Sequence, residues 1–206
     1  MGQSSTQTVI LGVFPMKRKF DGIIAATFLT TMFYSSTYPY IHKYIVSIIP
    51  DSFIAGQQIV NCISIILFGW IWNKLPDKLF RWFPVFCILE FVTTISATSF
   101  IIVTGNVAAY YILDTLFFAI VTRNIVCGIF KLRARRYRTE KQRTEFDNLD
   151  NSAAALATII GSVISMLMSF DFHTMLIIAS FGNLIDNVLY IIIYYKTIQK
   201  AGEPNE

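Results

Sequence analysis

Charge is what this sequence has least of. Asp, Glu, Lys and Arg together make up 15% of its 206 residues, against 54% apolar residues, whereas a soluble domain carries about 25% charge. Seventeen basic and 13 acidic side chains cannot solvate the outside of so apolar a chain, which excludes a water-soluble globule. Cysteine is scarce as well. Cys62, Cys87 and Cys127 fall in three different apolar runs with no C-x-x-C or Cys/His spacing, so they read as small buried hydrophobes rather than a disulfide framework or a metal site. The only two histidines, His42 and His173, lie in separate segments and read as interface residues. No metal centre is expected.

Enzyme signatures are missing too. There is no H-E-x-x-H, no G-x-S-x-G and no G-x-x-x-x-G-K-[ST], so neither a hydrolase nor a self-contained ATP-driven pump is expected, and no cofactor. Nor is a cleavable signal peptide apparent. The short run Val9-Ile10-Leu11 precedes the cluster Lys17-Arg18-Lys19, the reverse of the order a leader requires. The opening Met1-Gly2-Gln3-Ser4-Ser5-Thr6 fits the short pattern for N-myristoylation.

What the sequence does have is apolar length. Its mean hydropathy is +0.55, and Phe and Tyr number 18 and 10. Six segments reach the roughly 20 residues that cross a hydrocarbon core as a helix: about 22–48, 52–73, 82–103, 107–130, 152–170 and 173–195. Helix is the assignment because an open strand in lipid leaves its backbone polar groups unpaired. The expected fold is therefore an all-α membrane protein with the lipid bilayer as its first partner. It divides into an N-terminal segment 1–20, a six-helix domain 21–197 and a tail 198–206.

The connections alternate in charge. Pro50-Asp51, Gly105-Asn106 and Asp171-Phe172 are tight turns without basic residues. Fifteen of the 17 lysines and arginines fall in the other set: Lys17 to Lys19, Lys74 to Arg81, Lys131 to Arg143, and Lys196 with Lys200. Basic loops stay on the cytoplasmic side, so both ends are expected inside a plasma membrane. The net charge of +4 then reports topology rather than nucleic-acid binding. Residues 131–151 read as a basic cytoplasmic connector.

Several residues carry possible chemistry. Segment one is polar for a membrane helix, and Thr27, Thr30, Tyr34 and Tyr38 recur at helical spacing, with Pro39 as a kink. Such hydroxyls belong against protein or a wet cavity. Glu90, Asp114 and Asp186 are carboxylates inside apolar spans, and intramembrane carboxylates are candidates for proton coupling. The alternative for Asp186 is a structural polar knot with Asn183 and Asn187. Arg123 is nine residues after Asp114, too far along a helix to pair with it, and reads as a structural charge held by a loop carboxylate. Ala153, Ala157, Gly161, Ser165 and Ser169 recur every four residues, a small-residue ridge that marks a packing seam within one protomer or between two.

The run Gly69-Trp70-Ile71-Trp72-Asn73-Lys74-Leu75-Pro76-Asp77-Lys78 follows the second segment. It resembles the loop motif of the major facilitator superfamily, with Gly69, Lys74 and Lys78 in place, Asn73 where an acid is usual and Pro76 where a glycine is. Arg123 with Gly128, and Arg143-Thr144-Glu145-Phe146-Asp147-Asn148 before the fifth segment, add to a resemblance covering most of residues 20–198. It implies the amino-terminal six-helix half of that fold, with the first and fourth helices lining a cavity. Family members usually have twelve helices, and the stretch Lys196–Glu206 reads as a terminus. The expectation is a half-size transporter-like protein, exporting a small amphipathic solute by proton coupling as a homodimer. Its rival is a non-transporting accessory, immunity or sensor protein that acts through a partner membrane protein.

Overall fold

The computed structural model describes residues 21–168 and 170–201, without the side chains at 200 and 201. The basic cluster Lys17-Arg18-Lys19, the myristoylation pattern, Ser169 and the end of the tail lie outside the described residues. Among those described, every element is a helix. They are α1 Gly22–Val46, α2 Asp51–Lys74, α3 Pro76–Arg81, α4 Phe83–Thr104, α5 Val107–Phe117, α6 Arg123–Arg136, α7 Glu140–Leu167 and α8 Phe172–Ala201. A π-helical turn, Phe118–Thr122, joins α5 to α6 in one rod.

Local chemistry sets the ends. The Asp21 side chain accepts from the Ile23 N–H at 2.8 Å and opens α1. Thr139 and Gln142 form a capping box at the start of α7. Asp171 accepts from the Thr174 N–H at 2.8 Å at the start of α8. α4 stops at Gly105, whose φ of 66° puts the chain in the left-handed region that glycine enters without strain.

Five helices are long and apolar enough to cross a bilayer: α2, α4, the α5–α6 rod, α7 and α8. The sixth expected span, α1, has the length, at 25 residues, but its run of Thr, Ser and Tyr keeps it out of that set. Packing explains how so polar a helix is accommodated. α1 lies between α7 and α8, and its Ser36 and Thr37 are buried with their hydroxyls turned back onto the Phe33 carbonyl at 2.8 Å. The 131–151 connector is not a separate element. α6 and α7 extend into it from both sides and leave Tyr137–Thr139 between them.

The strongest packing runs in a row, α7–α1–α8–α4–(α5–α6)–α2, with a weaker contact between α6 and α8. Numbered in chain order, the six long helices stand 5-1-6-3-4-2. Exchanging the first three with the last three returns the same row read backwards. Two apolar clusters fill the two ends of the bundle. One, at the basic end, includes Trp72, Phe80, Phe83, Ile125, Leu132, Phe146 and Tyr194. The other includes Ile45, Ile49, Ala97, Ile101, Tyr110, Phe172 and Leu176.

Candidate functional site

Between these two clusters the bundle is polar. On α4, Glu90 lies between Cys87 of one cluster and Ala97 of the other, and it is only 9% exposed. Both of its carboxylate oxygens are held. Thr122, the last residue of the π turn, donates to Oε1 at 2.6 Å, and Asn187 of α8 donates to Oε2 at 2.9 Å. Asn187 Nδ2 also reaches the Asn183 carbonyl and its side-chain oxygen at 2.9 and 3.0 Å. Asp186 stands near Glu90 and the Thr30 hydroxyl of α1, and Thr27 stands beside Tyr190. About two turns away, Thr98 and Ser180 pair across α4 and α8 at 2.9 Å.

The irregular turn makes the layer possible. A π turn carries an extra residue and shifts the helix face, and its last residue is the one that meets Glu90. Asn124 closes the opposite side of the rod: its Nδ2 donates to the Ile120 carbonyl at 2.6 Å, and its Oδ1 accepts from Trp72 Nε1 of α2 at 3.0 Å.

Asp114 belongs to a different place. It is partly exposed on α5, close to the phenols of Tyr110 and Tyr111. Thr122 is eight residues further along the rod, about 12 Å at helical rise. Tyr111 donates to Gln57 Oε1 of α2 at 2.6 Å. Tyr38 approaches the same tyrosine from α1 and continues an open aromatic ladder: Tyr34 stacks on Tyr38 at 4.5 Å, and Tyr38 on His42 at 5.2 Å. Tyr34 is 56% and Tyr38 41% exposed. Of the four residues expected to line a cavity, Tyr34 and Tyr38 are therefore open, while Thr27 and Thr30 turn inward to α8.

The small-residue ridge is occupied within the chain. Ala157, Gly161 and Ser165 are buried, and a Cβ at Gly161 would fall 2.5 Å from the Met32 carbonyl of α1. Ala153 is partly buried at the ridge's start. At the far end of the seam, Tyr40 of α1 reaches the Ser165 and Met168 carbonyls at 2.5 and 2.8 Å and caps α7.

Arg123 corrects an expectation. Among the described residues it forms no ion pair, and its guanidinium lies 5.5 Å over the Phe118 ring. The loop carboxylates expected to hold it are taken by basic residues further along α6. Asp77 binds Lys131 and Arg135, each at 3.1 Å. Asp150 binds Arg133 at 2.7 Å, and Asp21 binds Arg136 at 3.3 Å. Hydrogen bonds from Lys131 and Arg135 hold the Asp77 carboxyl below its ordinary pKa. Burial, then the hydrogen bond it donates to Asp21, push the Tyr137 phenol up. Aspartates from before α1, from α3 and from α7 thus converge on the end of one helix.

Comparisons with models of protein families, with curated proteins and with solved structures return no match. Function therefore has to be argued from this geometry. Sequence reasoning grouped Asp186 with Asn183 and Asn187 but treated Glu90 as separate, and it missed Thr122 and Asn124. The available signal was that Thr122 and Asn124 flank Arg123, three polar residues in succession inside an apolar run.

Proposed function

We propose that the chain is a half-size, transporter-like protein of the plasma membrane, with six spans and both ends in the cytoplasm. A pair of copies moves a small amphipathic solute along a path between them, lined by α1 and α5. Proton coupling is assigned to Asp114, which stands beside Tyr110 and Tyr111. Glu90 and Asp186 act from the closed polar layer behind it.

The observation that carries this reading is the reversible packing row. Inverted repeats of three helices underlie one half of a major facilitator fold, and their corresponding helices meet at the substrate path. The exchange that reverses the row pairs α1 with the α5–α6 rod. These two carry the backbone irregularities, since Pro39 removes an amide from α1 and the rod contains the π turn. Interrupted helices at matching places in two repeats are the best pointer to a transport site. The basic residues gathered at one end of the bundle support the orientation.

The rival reading, an accessory, immunity or sensor protein, leaned on the α7 ridge as its docking surface. That ridge is filled by α1, which removes the docking surface on which that reading rested. Native mass spectrometry from lipid nanodiscs, followed by flux of a panel of fluorescent amphipathic dyes in proteoliposomes, decides between them. The transporter reading expects a homodimer whose pH-driven flux is lost in Asp114→Asn. A monomer, or a complex with a different protein, together with no flux, would replace it with the rival.

A further inference from the structure

The polar layer holds two side-chain oxygens that no donor reaches. Asp186 Oδ1 and Asn187 Oδ1 are both buried and accept no hydrogen bond. Asn187 cannot remedy this by turning its amide over, because Nδ2 already serves three acceptors at 2.9, 2.9 and 3.0 Å. Reversal would set an oxygen against all three. Glu90, by contrast, has a donor on each of its oxygens. No lysine or arginine forms an ion pair with Glu90 or Asp186 among the described residues.

Buried acceptors without donors call for an unseen water or ion. Water would satisfy the oxygens yet leave the Asp186 charge uncompensated between two apolar clusters, where an isolated charge is costly. A single proton serves one oxygen; a hard cation gathers several at once. The unpartnered groups are oxygens, of a carboxylate and an amide, with the Thr30 hydroxyl near Asp186; the buried Cys87 thiol also stands near Glu90 and Asp186. Glu90 has a neutral donor on each oxygen, whereas Asp186 Oδ1 has none, so the open position lies at Asp186, where one carboxylate offers a single formal charge. A divalent ion requires a larger oxygen shell or several retained waters.

We propose that this layer is a binding site for a monovalent cation, sodium, with the unpartnered oxygens of Asp186 and Asn187 as principal ligands and Thr30 beside them. Thr122 and Asn187 position Glu90 at its edge. The proposal does not depend on transport, because binding can be read on a chain that moves nothing.

The test is equilibrium binding of radioactive sodium to the purified full chain in lipid nanodiscs, alongside its thermal unfolding in sodium or choline salts. The expected result is saturable binding displaced by unlabelled sodium and not by choline, with a melting temperature that rises in sodium. Asp186→Asn should weaken binding by about tenfold or more, while Asp147→Asn, on the exposed face of α7, should leave it unchanged. If Asp186→Asn fails to fold, Thr30→Val against Thr30→Ser takes its place, with binding weakened in the valine variant and kept in the serine one. Folded wild-type protein that binds no sodium, or binding that survives Asp186→Asn, would overturn the proposal. So would a stability that follows pH and is indifferent to sodium.

Discussion

Replacing Gly161 by alanine tests the seam that seats α1 in the bundle. The added Cβ would lie 2.5 Å from the Met32 carbonyl oxygen and 2.8 Å from Ser35 Cβ, where ordinary contact begins at 3.4 Å. The nearest obstacle is backbone, so no rotamer change clears it and the two helices have to part by about 1 Å. Overpacking of this kind costs about 1–3 kcal/mol. Alanine returns about 1 kcal/mol through its higher helix propensity, which leaves a net loss of about 0–2 kcal/mol, against the gain expected at the open glycines. Gly56→Ala and Gly69→Ala are the controls, since a Cβ at either position meets nothing within 4 Å. Both should hold or raise stability. Unfolding followed by tryptophan fluorescence in mixed micelles reads all three variants. The loss at Gly161 should not change on dilution, because both sides of the seam belong to one chain. A Gly161→Ala protein as stable as Gly69→Ala, or a loss that grows on dilution, would refute the reasoning.

Trp72→Phe removes the donor to Asn124 Oδ1 and should cost about 1–3 kcal/mol for the buried acceptor left behind. A double-mutant cycle with Asn124→Leu should show coupling of about 1 kcal/mol, and its absence would remove this link between α2 and α6. Tyr40→Phe should cost about 1 kcal/mol and speed amide exchange in the last turn of α7, whose carbonyls it caps. Asp77 has a lowered folded pKa, so its contribution is present above the ordinary value of 3.8 and is lost as pH falls below that through the folded value. Asp77→Asn should therefore lower the melting temperature slightly near neutral pH and not at all at strongly acidic pH. Asp77 is well exposed, so the neutral-pH difference should also shrink in high salt.

The spans were legible because hydrocarbon imposes one simple demand, a run of apolar residues long enough to cross it. α2, α4 and α8 begin and end within a residue or two of their expected limits at most ends, and only the ends of α6, α7 and α8 at the basic end of the bundle run on further. Those extensions are polar, so apolar length is silent about them; what holds α6 in helix to Arg136 is its grip on Asp21, Asp77 and Asp150. α1 is the opposite case. Apolar length alone overstates it as a lipid-facing span, and its polarity makes sense only once α7 and α8 flank it.

The site was less legible because its logic lies in pairs of residues on different helices. A carboxylate in an apolar run announces itself, and Glu90, Asp114 and Asp186 were all visible that way. Which of them share a chamber depends on the phase of each helix around its axis, and the π turn at Phe118–Thr122 breaks the phase of the very rod that carries Asp114. Counting at 3.6 residues per turn across that break misplaces everything after it by most of a residue's rotation. Thr122 therefore arrives at Glu90, while Asp114 stays with the tyrosines on the other side of the break. One irregular turn thus lies between Asp114 and Thr122 along a single rod.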